Sequence, residues 1–288
     1  MKLIVVLAGI LIDRVFPWVR EYRDYNYFLR YADWVKAKLP EPLANGAIGV
    51  SLVMIPPVAV VWYLDAIMSG GLAGAIGLLF SLVVFLYCLG PRDLFADVDT
   101  FCNVCESTDV ALRVRAAALL TGREAPDAES ESLFADVTRA ILSAGHDRLF
   151  AVLFWFVLLG PVGALLYRGL GLLAAENQAE PDFRDWAERL RAMLVWIPAR
   201  LTALGYALAG HFDAAFEGWQ DAAAEMPAGA GSSEHLLVET GLGALDLRDR
   251  DDVWTGASAP RAAMRLVWRT LTLWLVVVAV LTLAGWAS

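Results

Sequence analysis

Residues 153–169 read LFWFVLLGPVGALLYRG, and the interpretation of this stretch decides the interpretation of the fold. It is apolar enough for a bilayer, yet Gly160, Pro161 and Gly163 interrupt its middle and Arg168 lies near its end. Proline removes a backbone donor and bends a helix, while glycine exposes carbonyls and allows close contacts. Two interpretations stay open: a span with a packing kink, or a broken helix that presents its terminal dipole and free carbonyls to a ligand.

The rest of the chain is also strongly apolar. It has 288 residues, of which 58% are hydrophobic, and its mean hydropathy is +0.54. A helical span needs roughly 20 apolar residues. We therefore predict an all-α, polytopic membrane protein in a lipid bilayer, with four to six membrane segments. Four candidate segments are 46–64, 70–89, 149–172 and 267–286, and two shorter ones are 3–12 and 192–209.

Charge and proline positions divide the chain into six segments. Pro56 and Pro57 predict a kink in the first arm of a helical hairpin. The predicted segments are a short apolar stretch with an interfacial helix (1–44), the hairpin (45–89), a helical polar segment (90–148), the broken-helix core (149–212), a second polar helical segment (213–266) and a last span (267–286).

The distribution of Lys and Arg predicts the orientation. Segment 13–44 holds six of them, whereas the turn at 65–69 holds none. Basic residues accumulate in cytoplasmic loops, so we expect 13–44 and 90–148 in the cytoplasm. The side of 213–266 depends on whether 192–209 crosses, and both alternatives stay open.

Several function classes are disfavoured. The net charge of −9 argues against nucleic-acid binding, which needs a basic surface. Three cysteines give no disulfide framework, and Cys102 and Cys105 lack two further zinc ligands nearby, so no metal site is predicted.

A second unusual stretch, VWIPARLTALGYALAGH, covers residues 195–211. Pro198 suits the first turn of a helix, which would place Arg200 two residues inside an apolar surface. A charge inside a membrane costs roughly 2.5 to 3.5 kcal/mol on insertion scales and is by default a functional candidate. The alternative is that the Arg200 side chain extends along the helix to the membrane interface.

These two stretches carry a family resemblance. RLFAVLFWFVLLGPVGALLYR (148–168), followed by WIPARLTALGYALAGHF (196–212), resembles the AmpE family of bacterial inner-membrane proteins. That family is similar to the CobD/CbiB membrane enzymes, which form the amide between cobyric acid and an aminopropanol unit. The resemblance covers most of the chain, is strongest over 111–212, and implies one membrane domain over 1–288.

The chain departs from the enzymes at their polar motifs. Where the enzymes have Gly-Arg-Asp-Thr, this chain has Gly122, Arg123 and Glu124. Where they have Glu-Asn and Asp, it has SAGHDR, and after the Tyr-Arg pair it has GLGLLAAENQ instead of Asn-Thr-Leu-Asp-Ser-Met. ATP-dependent carboxyl activation needs acidic residues that hold Mg²⁺. Their loss favours binding or signalling over ligation, so no catalytic residue is assigned and enzymatic activity stays open.

The resemblance thus implies an inner-membrane regulatory protein of β-lactamase induction, antibiotic resistance and cell-wall stress. The alternatives are a cobalamin-biosynthesis amide ligase and a transporter of cell-wall fragments. We expect a small-molecule ligand (a nucleotide, a corrinoid-like molecule or a muropeptide) or a protein partner; no cofactor is assigned. The helix breaks are Gly160, Pro161, Gly163 and Pro198, and the candidate ligand-binding residues are Arg123, Glu124, His146, Asp147, Arg148, Tyr167, Arg168 and Arg200.

Overall fold

A computed structural model describes residues 2–68, 74–90, 92–105, 109–122, 132–176, 180–225, 231–248 and 257–284. These residues form helices and contain no β-strand. A short 3₁₀ helix covers Pro17–Tyr22 and a π-helical turn covers His146–Phe150. The α-helices are α1 (Lys2–Val15), α2 (Asn26–Lys38), α3 (Glu41–Ala44), α4 (Gly46–Met68), α5 (Gly74–Cys88), α6 (Leu94–Val104), α7 (Val110–Thr121), α8 (Ser132–Gly145), α9 (Ala151–Leu159), α10 (Pro161–Ala174), α11 (Pro181–Ala209), α12 (Phe212–Glu225), α13 (Ser232–Ala244) and α14 (Ser258–Leu283).

The chain separates into two compact units, each built from distant parts of the sequence. The first unit consists of Met1–Pro91, Ala151–Val195 and Val278–Ser288. The second consists of Arg92–Phe150 and Trp196–Val277. The first contains α1 to α5, α9, α10 and the beginning of α11. The second contains α6 to α8, the end of α11, α12, α13 and most of α14.

The prediction of a helical membrane protein is confirmed. Within the described residues, four helices are long and apolar enough to cross a membrane: Gly46–Met68, Leu133–Leu159, Pro181–Ala209 and Ser258–Leu283. The shorter candidate segment 192–209 is the C-terminal part of one of them. Of the expected span at 70–89, residues 70–73 lie outside the described residues, and residues 74–88 form α5, whose 15 residues reach about 22 Å.

The sequence led us to list 149–172 as one candidate membrane segment. In the structure this stretch is not a single helix. Helix α9 ends at Leu159, and Gly160 takes a φ of +68°, a left-handed conformation that glycine adopts readily. A Cβ atom at Gly163 would lie 2.4 Å from the carbonyl oxygen of Trp155. Residues eight apart in a continuous helix are separated by about 12 Å, so α10 folds back against α9.

The turn leaves a backbone carbonyl without its helical donor. In a regular helix the Val157 oxygen would accept from residue 161, but Pro161 has no N–H. The Lys2 ammonium of α1 donates to this oxygen at 3.2 Å. An unsatisfied carbonyl in an apolar surrounding is costly, so Lys2 stabilises the turn.

The same arrangement recurs at two other prolines. Pro198 removes the donor for the Leu194 carbonyl, and the Trp155 indole N–H donates to that oxygen at 3.1 Å. Pro57 does the same to the Val53 carbonyl, to which the Tyr31 hydroxyl donates at 3.3 Å. The prediction that Pro198 begins a helix is wrong, because α11 begins at Pro181 and continues through Pro198.

The first unit has its core where α2, α4, α10 and α11 meet. Val53, Met54, Leu170, Leu173 and Phe183 are buried there together. Side chains also satisfy the carbonyls at the C-terminal end of α5. The donors are the Tyr25 hydroxyl to the Tyr87 oxygen at 2.9 Å, Arg168 Nε to the Cys88 oxygen at 2.7 Å and Arg23 Nη1 to the Gly90 oxygen at 2.6 Å.

The second unit contains the closely packed pair α12 and α13. A Cβ atom at Gly218 would lie 2.5 Å from the Glu239 oxygen, and one at Gly243 would lie 2.3 Å from the Ala214 oxygen. The glycines therefore allow backbone contact between these helices. The buried Tyr206 hydroxyl of α11 donates to the Leu142 carbonyl of α8 at 2.9 Å, which fixes α8 beside α11.

The tight turn predicts that two glycine-to-alanine substitutions differ in how much they destabilise the protein. Gly163→Ala forces a methyl group against the Trp155 carbonyl, so we expect about 1 to 3 kcal/mol of destabilisation. Gly74→Ala is the matched control, because a Cβ atom there meets no atom of the described residues within 4 Å. Thermal unfolding in mild detergent measures both. Equal unfolding temperatures for the two variants would contradict the folded-back geometry.

Candidate functional site

A polar stripe runs along α8. Asp136, Arg139, Ser143 and His146 are spaced three, four and three residues apart. In a helix this spacing places side chains on one face. The stripe therefore leads from the middle of α8 to the π-helical turn that follows it.

A cavity of about 470 Å³ lies beside this stripe in the second unit. This volume falls in the usual range for small-molecule sites. Charged groups of both signs face it, so it suits a ligand that is itself polar. Its polar lining comes from Thr121 of α7, Asp136 and Arg139 of α8, and Glu234, His235 and Glu239 of α13.

Neighbouring side chains hold two of these groups in place. The Ser143 hydroxyl donates to Glu234 Oε1 at 2.7 Å. His235 Nε2 lies 3.0 Å from Glu225 Oε2. An ionised carboxylate only accepts hydrogen bonds, so Nε2 carries the proton and Nδ1 of a neutral His235 keeps its lone pair.

His146 begins the π-helical turn and is 3% exposed. Its Nδ1 lies 3.1 Å from the Thr202 hydroxyl, which donates its one proton to the Pro198 carbonyl at 2.8 Å. The hydroxyl can therefore only accept from His146, which places a proton on Nδ1 and a lone pair on Nε2. π-Helical turns inside α-helices are frequent at functional sites.

Asp97 links the same turn to α6. Arg148 Nη1 lies 3.5 Å from Asp97 Oδ2, and Arg92 Nε lies 3.6 Å from the same atom. Two guanidinium groups thus share one carboxylate that is 14% exposed. We predicted a polar cluster of His146, Asp147 and Arg148. Its Arg148 pairs with Asp97, which is distant in sequence and also pairs with Arg92.

The other predicted residues have different surroundings. Arg123 and Glu124 lie outside the described residues, directly after Gly122. Tyr167 and Arg168 belong to the first unit, where Tyr167 is buried. Arg200 contacts its own helix: Nη1 donates to the Trp196 carbonyl at 3.1 Å, and the guanidinium lies 4.0 Å from the centre of the Trp196 ring.

Sequence reasoning missed the cavity in the second unit, because its lining comes from helices about 100 residues apart in the chain. The one available signal was the polar spacing on α8. Within the part of the chain that the structure describes, no group of three His, Cys, Asp or Glu side chains could hold a metal ion. The described residues thus do not fit the Mg²⁺ site that the ligase resemblance implies.

Known proteins are similar to this chain along much of its length. The family model described as CobD/Cbib protein matches residues 6–235. The Cobalamin biosynthesis protein CobD of Stutzerimonas stutzeri (strain A1501) is 29% identical over 98% of this chain and 97% of its own. CobD of Chromobacterium violaceum is 28% identical over 70% and 63%, and Protein AmpE of Shigella flexneri is 23% identical over 99% of both chains. No solved structure matches this chain.

The hydrogen bonds around His146 predict its tautomer. In ¹⁵N-histidine-labelled protein, one of the three histidines should carry its proton on Nδ1. Thr202→Val removes the acceptor and should move that histidine toward the Nε2–H form, because Nδ1–H then lacks its partner. The control is Thr272→Val, whose hydroxyl donates within its own helix to the Trp268 carbonyl. An Nε2–H signal for His146 in the unsubstituted protein would contradict the assignment.

Proposed function

Because this chain belongs to the CobD/Cbib family, we propose that it carries out a membrane-bound step of cobalamin biosynthesis. The observation that carries the proposal is the match with the Stutzerimonas CobD protein along nearly the whole of both chains. The reaction that the CobD/CbiB resemblance implies is amide formation between a corrinoid carboxyl group and a small amine. The cavity of the second unit is our candidate site for it.

The lining of that cavity suits the two reactants. The Arg139 guanidinium offers a planar pair of donors to a carboxylate. The Glu234 carboxylate, whose direction Ser143 fixes, suits an ammonium group, while Asp136 lies 3.9 Å from Arg139 Nη1 and holds that guanidinium beside the cavity. A cavity with both signs of charge can therefore bind an acid and an amine side by side, which lowers the entropic barrier to their reaction.

His235 can act as the general base of this reaction. The acid must react as an activated acyl donor, such as the acyl phosphate that ATP forms with a carboxylate. When the amine nitrogen bonds to its carbonyl carbon, phosphate leaves and the nitrogen loses a proton, so a positioned base accelerates this step. Glu225 holds the His235 Nε2–H, which leaves Nδ1 as the proton acceptor. Glu225 acts as a positioning residue here, because it orients the ring without touching the reactants.

A signalling role of the AmpE type is the second candidate. The match with the Shigella AmpE protein also covers nearly all of both chains. Residues 169–178, which read GLGLLAAENQ, lack the polar motif of the enzymes. In this alternative the same cavity binds a ligand without converting it, and the chain regulates β-lactamase induction.

Growth of a CobD-deficient strain on a corrinoid acid precursor tests the leading proposal. We expect the unsubstituted chain to restore corrinoid-dependent growth. His235→Gln should lower amide formation in isolated membranes by about 100-fold, the low end for loss of a general base. Arg139→Gln should act mainly on the apparent affinity for the acid. Mass spectrometry of the corrinoid product measures both effects.

Glu217→Gln is the matched control, because Glu217 is an exposed carboxylate of α12 outside the cavity lining. It should restore growth fully. No growth with the unsubstituted chain at normal membrane expression would overturn the cobalamin proposal. Restoration of β-lactamase induction in an AmpE-deficient strain would then favour the signalling role.

A further inference from the structure

A second cavity, of about 250 Å³, lies in the first unit. It adjoins the turn between α9 and α10, so Gly160 and Pro161 form part of its wall. Its charged and hydroxyl groups are Lys2 of α1, Asp65 of α4 and Ser81 of α5. The proposed reaction uses none of these three polar residues, and none of the three was a candidate from the sequence.

The cavity separates two opposite charges. The Lys2 ammonium donates to the Val157 carbonyl at 3.2 Å, which uses one of its three protons and leaves two for a ligand. Asp65 forms no hydrogen bond or close ion pair with any described residue, although the Lys2 ammonium attracts its carboxylate at longer range. A carboxylate and an ammonium that face one cavity without pairing are complementary to a ligand with one charge of each sign.

The surroundings of this cavity are apolar and face outward. Val5, Leu78 and Phe156 also line it, together with Gly74 and Gly77. Within two positions of lining residues in the sequence, Ile67, Ile76 and Leu159 are about half exposed or more. Ile67 lies on α4 and Leu159 on the helix Leu133–Leu159, and both helices are candidate membrane spans, so these two side chains can contact acyl chains in a bilayer. The ligand can therefore be attached to a hydrocarbon chain that lies along this surface.

We propose that this cavity binds the phosphoethanolamine headgroup of a membrane phospholipid. The lipid ammonium pairs with Asp65, and the phosphate accepts from Lys2 and from the Ser81 hydroxyl. At about 30 Å³ per water the cavity holds on the order of eight waters, comparable to the eight non-hydrogen atoms of this headgroup. Lipid at this position stabilises the folded-back turn, because it neutralises the Lys2 ammonium that caps Val157.

The proposal predicts a ranking of lipids. A choline headgroup has the same charges but no N–H, so it cannot donate to Asp65. A glycerol headgroup has no cation, so its phosphate leaves Asp65 unpaired. Phosphatidylethanolamine should therefore be retained in preference to phosphatidylcholine and phosphatidylglycerol with the same acyl chains.

Native mass spectrometry of the full chain in mixed micelles with equal amounts of the three lipids tests this. We expect about tenfold preferential retention of phosphatidylethanolamine, the scale of one charge-assisted hydrogen bond. Asp65→Asn should abolish the preference, and Ser81→Ala should weaken it. Asp185→Asn, which changes an exposed carboxylate of α11 outside the cavity, should preserve it.

Three results would overturn the proposal. These are equal retention of the three lipids, an unchanged preference in Asp65→Asn, and saturable binding of water-soluble phosphoethanolamine without any lipid preference. If Asp65→Asn does not fold, an unchanged preference in the conservative variant Ser81→Ala counts against the site.

Discussion

A backbone carbonyl that a proline deprives of its helical donor is costly where water is excluded unless another group donates to it, and this constraint shapes the first unit. Three such carbonyls accept from side chains of other helices. Each of these hydrogen bonds ties one helix to another, and so a local defect in a helix becomes a tertiary contact. The pairs are Lys2 with Val157, Trp155 with Leu194 and Tyr31 with Val53.

The same constraint changes the interpretation of polar residues at membrane depth. Such residues are functional candidates by default, yet several of them here donate hydrogen bonds to backbone carbonyls. Arg168 satisfies a carbonyl at the end of α5, and Tyr206 satisfies the Leu142 carbonyl. The conspicuous arginine of an apolar helix, Arg200, contacts its own helix. The polar groups that face a cavity of ligand size are less conspicuous in the sequence, among them Arg139 and His235.

The sequence predicted the helical membrane class and the location of the break at Gly160, because apolar length and the chemistry of proline and glycine are local properties. It did not predict that the chain turns back, since the φ of Gly160 and the contact between Gly163 and Trp155 depend on the fold. It placed the start of a helix at Pro198, because the donor that Trp155 supplies to α11 is invisible in sequence. The cavity of the second unit was missed because α7, α8 and α13 meet only after folding.

A double-mutant cycle between Trp155 and Pro198 tests the central claim most directly, with unfolding free energy in bicelles as the measured quantity. Trp155→Phe should cost about 1 to 3 kcal/mol, because it leaves the Leu194 carbonyl unsatisfied. In the Pro198→Ala background the alanine N–H returns the helical bond, so the same change should cost about 1 kcal/mol less. Trp62→Phe, at an exposed position, controls for lost ring area. Equal costs of Trp155→Phe in both backgrounds would contradict the account.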